Sequence, residues 1–131
     1  MVIAELEDET IHLLVPAEGE GLENHWWVVD TGASKSVVDR AVAACLVGEE
    51  SEGTMATGWG KEMVETTTGV IGNFRLGGYL FDELRVAVVD LHHINEEYAK
   101  YSDKRIAGLL GSDFFYREKA VIDYESQTIK L

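Results

Sequence analysis

Most of the chain reads as short, loosely alternating or bulky apolar runs separated by polar and glycine turns, and only a few stretches switch to helical spacing. Residues 2–6 and 11–15 read as two strands. The polar Glu7-Asp8-Glu9-Thr10 lies between them, so a hairpin is expected. Pro16 and the glycines at 19 and 21 are expected to break the second strand. The next run, His25-Trp26-Trp27-Val28-Val29, is bulky and β-branched and too short for a helix. It suits a strand buried on both faces. It leads directly into Asp30-Thr31-Gly32-Ala33-Ser34, so a carboxylate stands at the exit of a buried strand.

Ser36 then reads as the N-cap of a helix with Val38, Val42 and Cys45 on one face and Gly48 as its stop. Residues 49–53 read as a polar loop. Residues 54–71 alternate and are rich in threonine, which predicts a hairpin with a glycine-flanked tip, Gly58-Trp59-Gly60-Lys61. Residues 74–76 and 79–81 flank Gly77-Gly78 as a second hairpin, and Leu84, Val86 and Val88 share one strand face. Ile94, Tyr98 and Tyr101 predict a short amphipathic helix capped by Asn95, with Glu96 and Glu97 in its first turn and Lys104 and Arg105 near its end. Residues 106–110 are a compact apolar strand ending at Gly111. Ser112 caps one further turn, and residues 120–131 close the chain as a hairpin. The sum is a mainly β fold with two or three short helices, for which a closed or partly closed β-barrel is the best match.

Composition narrows the function. The 131 residues make one domain, and 46% apolar content suffices for a core. The formal net charge of -13 argues against nucleic acid and anionic membranes as partners. It also means that two copies repel one another, an effect that salt and falling pH weaken. Cys45 is the only cysteine, which rules out an intrachain disulfide and mildly favours a reducing compartment. No apolar run approaches the roughly 18–20 residues of a membrane helix. The N-terminus lacks a basic, signal-like start. A cytoplasmic location is expected if the chain is complete, and an exported one if a leader has been removed.

Asp30-Thr31-Gly32 alone reads most simply as a turn. Its setting alters that reading, because Gly32 permits a sharp turn beneath the carboxylate and Leu109-Leu110-Gly111 downstream can back the loop and shield it from water. With residues 28–34, then 106–114 in Ile106-Ala107-Gly108-Leu109-Leu110-Gly111-Ser112-Asp113-Phe114, then Val121-Ile122-Asp123-Tyr124, the chain resembles the retropepsin-like aspartic proteases. It looks most like bacterial members with an insert comparable to residues 90–105. The resemblance covers roughly residues 24–131 and implies a small β-barrel, with residues 1–131 as a single domain and half an active site per chain.

What it implies chemically is an aspartic endopeptidase that works as a homodimer on peptide or protein substrates, without cofactor or metal. Asp30 would be catalytic, Thr31 would brace the loop, and Gly32 would allow two loops to approach. Ala33, Gly58, Trp59, Gly60 and Leu110 would meet substrate, the three flap-tip residues by closing over it. Two positions depart from the retroviral pattern: Ser34 and Ser112 stand where an aspartate and an arginine pair across the dimer. Both partners are absent together, so no charge is stranded. The dimer would rest on other contacts.

Chemistry argues for two copies independently. Peptide hydrolysis of this kind needs two carboxylates sharing one proton, one as base and one as acid. The chain has one such motif, so a two-fold axis must supply its mate. Two other readings stay open: a retropepsin-fold module that binds peptides or dimerises with little turnover, and a protease domain cut from a longer chain. Remaining candidates have plainer readings. His92-His93 read as exposed loop histidines rather than metal ligands, and His25 as structural. Cys45 reads as core, Asp113 and Asp123 as cap and turn residues, and Glu49, Glu50 and Glu52 as a solvated loop.

Overall fold

The computed structural model describes residues 2–6, 10–45, 49–50, 55–57, 63–65 and 67–131. The elements come in the order β1 (Val2–Leu6), β2 (Thr10–Glu18), β3 (His25–Val29), β4 (Val37–Asp39), a 3-10 helix (Arg40–Cys45), β5 (Glu49–Glu50), β6 (Met55–Thr57), β7 (Met63–Glu65), β8 (Thr67–Leu76), β9 (Tyr79–Val89), α1 (His92–Ala99), β10 (Ile106–Leu110), α2 (Ser112–Arg117), β11 (Val121–Asp123) and β12 (Thr128–Lys130). The main sheet runs β1-β2-β3-β10-β4-β9-β8-β5, and β2 also pairs with β8. That closing contact, Ala17 to Leu76 and Glu18 to Arg75, makes a six-strand barrel of β2, β3, β10, β4, β9 and β8. The expected mainly β barrel is therefore the observed architecture.

The hairpins fall where the pattern places them. β1 pairs with β2, β6 with β7, and β11 with β12, all antiparallel. β8 and β9 meet through Gly77-Gly78, where Gly77 has φ +61°, a conformation that a two-residue hairpin turn requires and glycine adopts without strain. Leu84, Val86 and Val88 all point into buried space. Pro16 does not end β2. It lies between the last β1 contact, at Leu14, and the first β8 contact, at Ala17, so no strand on that side needs its missing N–H.

Three further expectations are corrected. Residues 37–39 form β4, which is inserted between β10 and β9, and only residues 40–45 turn, as a 3-10 helix. β-branched Val37 and Val38 prefer the strand once partners are available on both sides. Ser36 is thus no helix cap. Glu49 and Glu50 are not loop residues but pair with Gly69 and Thr68. Helix α1 begins at His92, before Asn95, so Asn95 lies inside it and His92 and His93 are exposed helix residues. The Asp90 carboxylate accepts the His92 N–H at 2.9 Å, and His92 Nε2 lies 2.8 Å from Glu96 Oε1 one turn on.

Two apolar clusters stand on opposite sides of the wall made by β3 and β10. Trp27, Phe74, Phe114 and Leu110 belong to the one inside the barrel, with T-shaped ring contacts of Phe74 to Trp27 and to Phe114. Val28, Leu91, Tyr98 and Ile106 belong to the other, which roots α1 on the outside of the wall.

Candidate active site

Asp30 follows β3 without a break. β3 is paired on both sides, antiparallel to β2 and parallel to β10. Its apolar composition is what a doubly flanked strand demands. The Asp30 N–H donates to the Leu110 carbonyl at 2.9 Å, so the pairing with β10 continues to the carboxylate residue itself. The chain then turns tightly. The Ala33 N–H donates to the Asp30 carbonyl at 3.1 Å, and the Gly32 N–H donates to Asp30 Oδ1 at 3.1 Å. A Cβ at Gly32 would lie 3.3 Å from that same oxygen, so any larger residue crowds the carboxylate. Asp30 and Ala33 are half-buried, while Thr31 and Gly32 are exposed.

The far side of the loop is held by the segment after β10. The Ser112 N–H donates to the Ala33 carbonyl at 2.7 Å. The buried Ser36 donates its hydroxyl to Asp113 Oδ1 at 2.8 Å and its N–H to Oδ2 at 3.1 Å, and its Oγ accepts the Gly111 N–H at 3.0 Å. Gly111 packs so closely that a Cβ there would meet the Ala33 carbonyl at 2.7 Å. Of residues 109–111, expected to back the loop, Leu110 and Gly111 lie against it. Ser36 and Asp113 are the members of the arrangement that sequence reasoning missed, since it gave each a local capping role.

β10 carries a bulge that decides which side chains reach the site. Ile106 pairs with Trp26 but Gly108 with Trp27, so Ala107 is an extra residue and the facing of the strand reverses after it. Leu110 therefore points into the barrel and is fully buried, while Leu109 faces outward beside Val28. Leu110, expected to meet substrate, instead supplies core packing and the carbonyl that holds Asp30. Gly108 shares its side of the wall with Trp27, and a Cβ there would fall 2.5 Å from that ring and 2.2 Å from the Val37 carbonyl.

On the outer side, Asp30 borders a cleft of about 370 Å³. Val28, Leu109 and Ile94 form its aliphatic wall, with His12 and Tyr124 as the other polar side chains. A carboxylate at the end of an apolar groove, held by the Gly32 amide, can act on a bond in a segment lying along that groove. Of the residues expected to cover substrate, Gly58, Trp59 and Gly60, with Lys61, lie outside the described residues. The strands leading to them, β6 and β7, are paired from Met55–Glu65 to Thr57–Met63. Among the described residues no group of three or more His, Cys, Asp or Glu is placed to hold a metal ion, and no helix is long and apolar enough to cross a membrane.

Comparison with known proteins agrees with this fold. Residues 15–114 match the family model described as aspartyl protease. Among solved structures, the retroviral protease-like domain of Ddi1 from Leishmania major superposes with a TM-score of 0.58 at 16% identity, covering 92% of this chain and 87% of that one. A retropepsin-like aspartic protease from Rickettsia conorii superposes with a TM-score of 0.55 at 21% identity, covering 94% and 83%. No curated protein sequence matches the chain. The retropepsin-type barrel is thus shared with both solved structures.

Proposed function

The chain belongs to the aspartyl protease family, and from that premise we propose that it is an aspartic endopeptidase acting as a homodimer, with Asp30 from each copy forming one catalytic pair. The observation that carries the proposal is the Asp30 loop itself: a carboxylate held at the end of a doubly paired strand, bordering an open apolar cleft. The exposed Thr31 and Gly32 leave that loop accessible to a second copy.

Two such carboxylates brought together repel, so the pair retains one proton near neutrality. The ionised member takes a proton from water while the protonated member hydrogen-bonds the scissile carbonyl. Water oxygen bonds to the carbonyl carbon, giving a tetrahedral diol. Its collapse breaks the C–N bond, and a carboxyl proton goes to the leaving nitrogen. Thr31 braces the paired loops through its hydroxyl, Gly32 lets them approach, and Ala33 contacts substrate. Gly58, Trp59 and Gly60 contact the bound peptide. Residues 1–131 act as one domain in each copy.

The test is sedimentation equilibrium across concentration, with cleavage of a peptide library assayed on the same samples. Activity should follow the dimer fraction and vanish in Asp30→Asn while the fold persists. A protein that stays monomeric yet cleaves would overturn the shared pair. Dimers that bind peptides and never cleave them would make it a binding module instead.

A further inference from the structure

Besides Tyr124, the cleft next to Asp30 contains a second polar side chain for which hydrolysis has no use. His12 lies on β2, half-buried, and its Nδ1 is 2.5 Å from the hydroxyl of Tyr98 on α1. Tyr98 is itself 1% exposed. Burial pushes its phenol up to about 12, so the hydroxyl keeps its proton, and it shares one hydrogen bond with Nδ1. A neutral imidazole that accepts at Nδ1 carries its proton on Nε2. His12 Nε2 has no partner among the described residues, and the ring lines the same cleft as Asp30.

We propose that His12 accepts a hydrogen bond from the Tyr98 hydroxyl at Nδ1 and is a specificity-determining residue, whose Nε2–H donates to the side-chain amide oxygen of a glutamine next to the scissile bond. Val28, Leu109 and Ile94 offer an aliphatic wall for that side chain's two methylenes, and His12 offers the donor for its head. A neutral amide is favoured over a carboxylate, because the cleft holds Asp30 and the chain has a net charge of -13. In a two-fold dimer the cleft occurs once on each side of the catalytic pair. A purely aliphatic side chain there leaves the His12 donor unpaired, which is how sites of this kind discriminate.

The inference rests on the hydrolytic reading for the place of the bond, so the experiment measures binding as well as cleavage. Peptide pairs differing only by glutamine or norleucine at the position beside the cleaved bond are compared for kcat/KM with wild type and His12→Phe. The same pairs are titrated calorimetrically against Asp30→Asn, with and without His12→Phe. Glutamine should be preferred by about tenfold in wild type and in Asp30→Asn, and norleucine once His12 is replaced. Tyr98→Phe retains His12 but frees its ring, so it answers the question if His12→Phe does not fold; there the preference should shrink at least severalfold. Cleavage with the same preference in wild type and variants overturns the role of His12 and leaves the protease reading intact. Glutamine-selective binding that depends on His12, without cleavage by wild type, overturns the protease reading and leaves His12 its role. Binding indifferent to glutamine overturns the inference in either case.

Discussion

The Ser36 hydroxyl donates to the Asp113 carboxylate at 2.8 Å across 77 positions of sequence, and the same oxygen accepts the Gly111 N–H at 3.0 Å. Ser36 is fully buried. One side chain thus ties the exit of the Asp30 loop to the start of α2 and satisfies a buried amide. Ser36→Ala removes both bonds and strands the Gly111 N–H, which should cost about 1–3 kcal/mol. Urea unfolding checks the stability loss through the shift in midpoint. Because the clamp holds the loop rather than touching substrate, kcat should fall while KM changes little. A variant as stable as wild type would mean that water replaces the hydroxyl.

Gly111 makes a sharper test of loop placement. Its Cβ position is 2.7 Å from the Ala33 carbonyl and 2.8 Å from the Lys35 carbonyl carbon, both backbone atoms that cannot swing aside as a side chain end would. Gly111→Ala must therefore move the Asp30 loop away from β10, lengthening the 2.7 Å bond from Ser112 N–H to the Ala33 carbonyl. Overpacking of this kind costs typically about 1–3 kcal/mol. Activity should drop by about tenfold or more even at temperatures where the variant stays folded, since a small misplacement at the reacting group has large kinetic effects. Circular dichroism alongside the cleavage assay separates the two effects.

The legible part of this fold was whatever period and turn chemistry encode locally. His25–Val29 as a buried strand, the Gly77-Gly78 hairpin and the face shared by Leu84, Val86 and Val88 all follow from neighbours in sequence. So does the Asp30-Thr31-Gly32 turn. What escaped depends on partners far away. Val37 and Val38 look helical in isolation and become a strand because β10 and β9 stand on either side. Ser36 looks like a cap until Asp113 comes within reach. The facing of Leu109 and Leu110 turns on one extra residue, Ala107, whose bulge no alternation pattern reveals. His12 gains meaning only because Tyr98 and Asp30 come to border the same cleft.

Asn95 illustrates the same point and carries a prediction. Inside α1 its Oδ1 accepts the Ile106 N–H at 2.8 Å, and its Nδ2 donates to the Ile106 carbonyl at 3.1 Å, so the amide pairs with the strand backbone as another strand would. Nδ2 also lies 3.3 Å from Asp39 Oδ2, while Asp39 Oδ1 accepts the buried Leu91 N–H at 3.1 Å. These bonds dock the helix that walls the cleft. Asn95→Ala strands both Ile106 groups and should destabilise by about 1–3 kcal/mol. Hydrogen exchange should speed up in α1 and at Ile106 before the barrel strands respond. Uniform acceleration throughout the chain would mean that α1 opens only with global unfolding.

Acid should weaken the C-terminal turn. The backbone N–H of Ser126, and next its hydroxyl, hold the Asp123 carboxyl below its ordinary 3.8, with the Glu125 N–H adding to the effect. Amide donors at 3.2 and 2.9 Å explain the direction, because they favour the charged form in the folded chain. A lowered folded value means that the unfolded chain binds the proton more readily. The stabilisation is therefore present above the unfolded value and is lost as pH falls through the folded one. Asp123→Asn should be less stable than wild type near neutrality, and the gap should close as pH falls through the lowered folded value. Thermal unfolding of both proteins across that range checks the sign. A gap that persists unchanged in acid would mean that the turn is held by the β11–β12 pairing alone, with no contribution from the Asp123 charge.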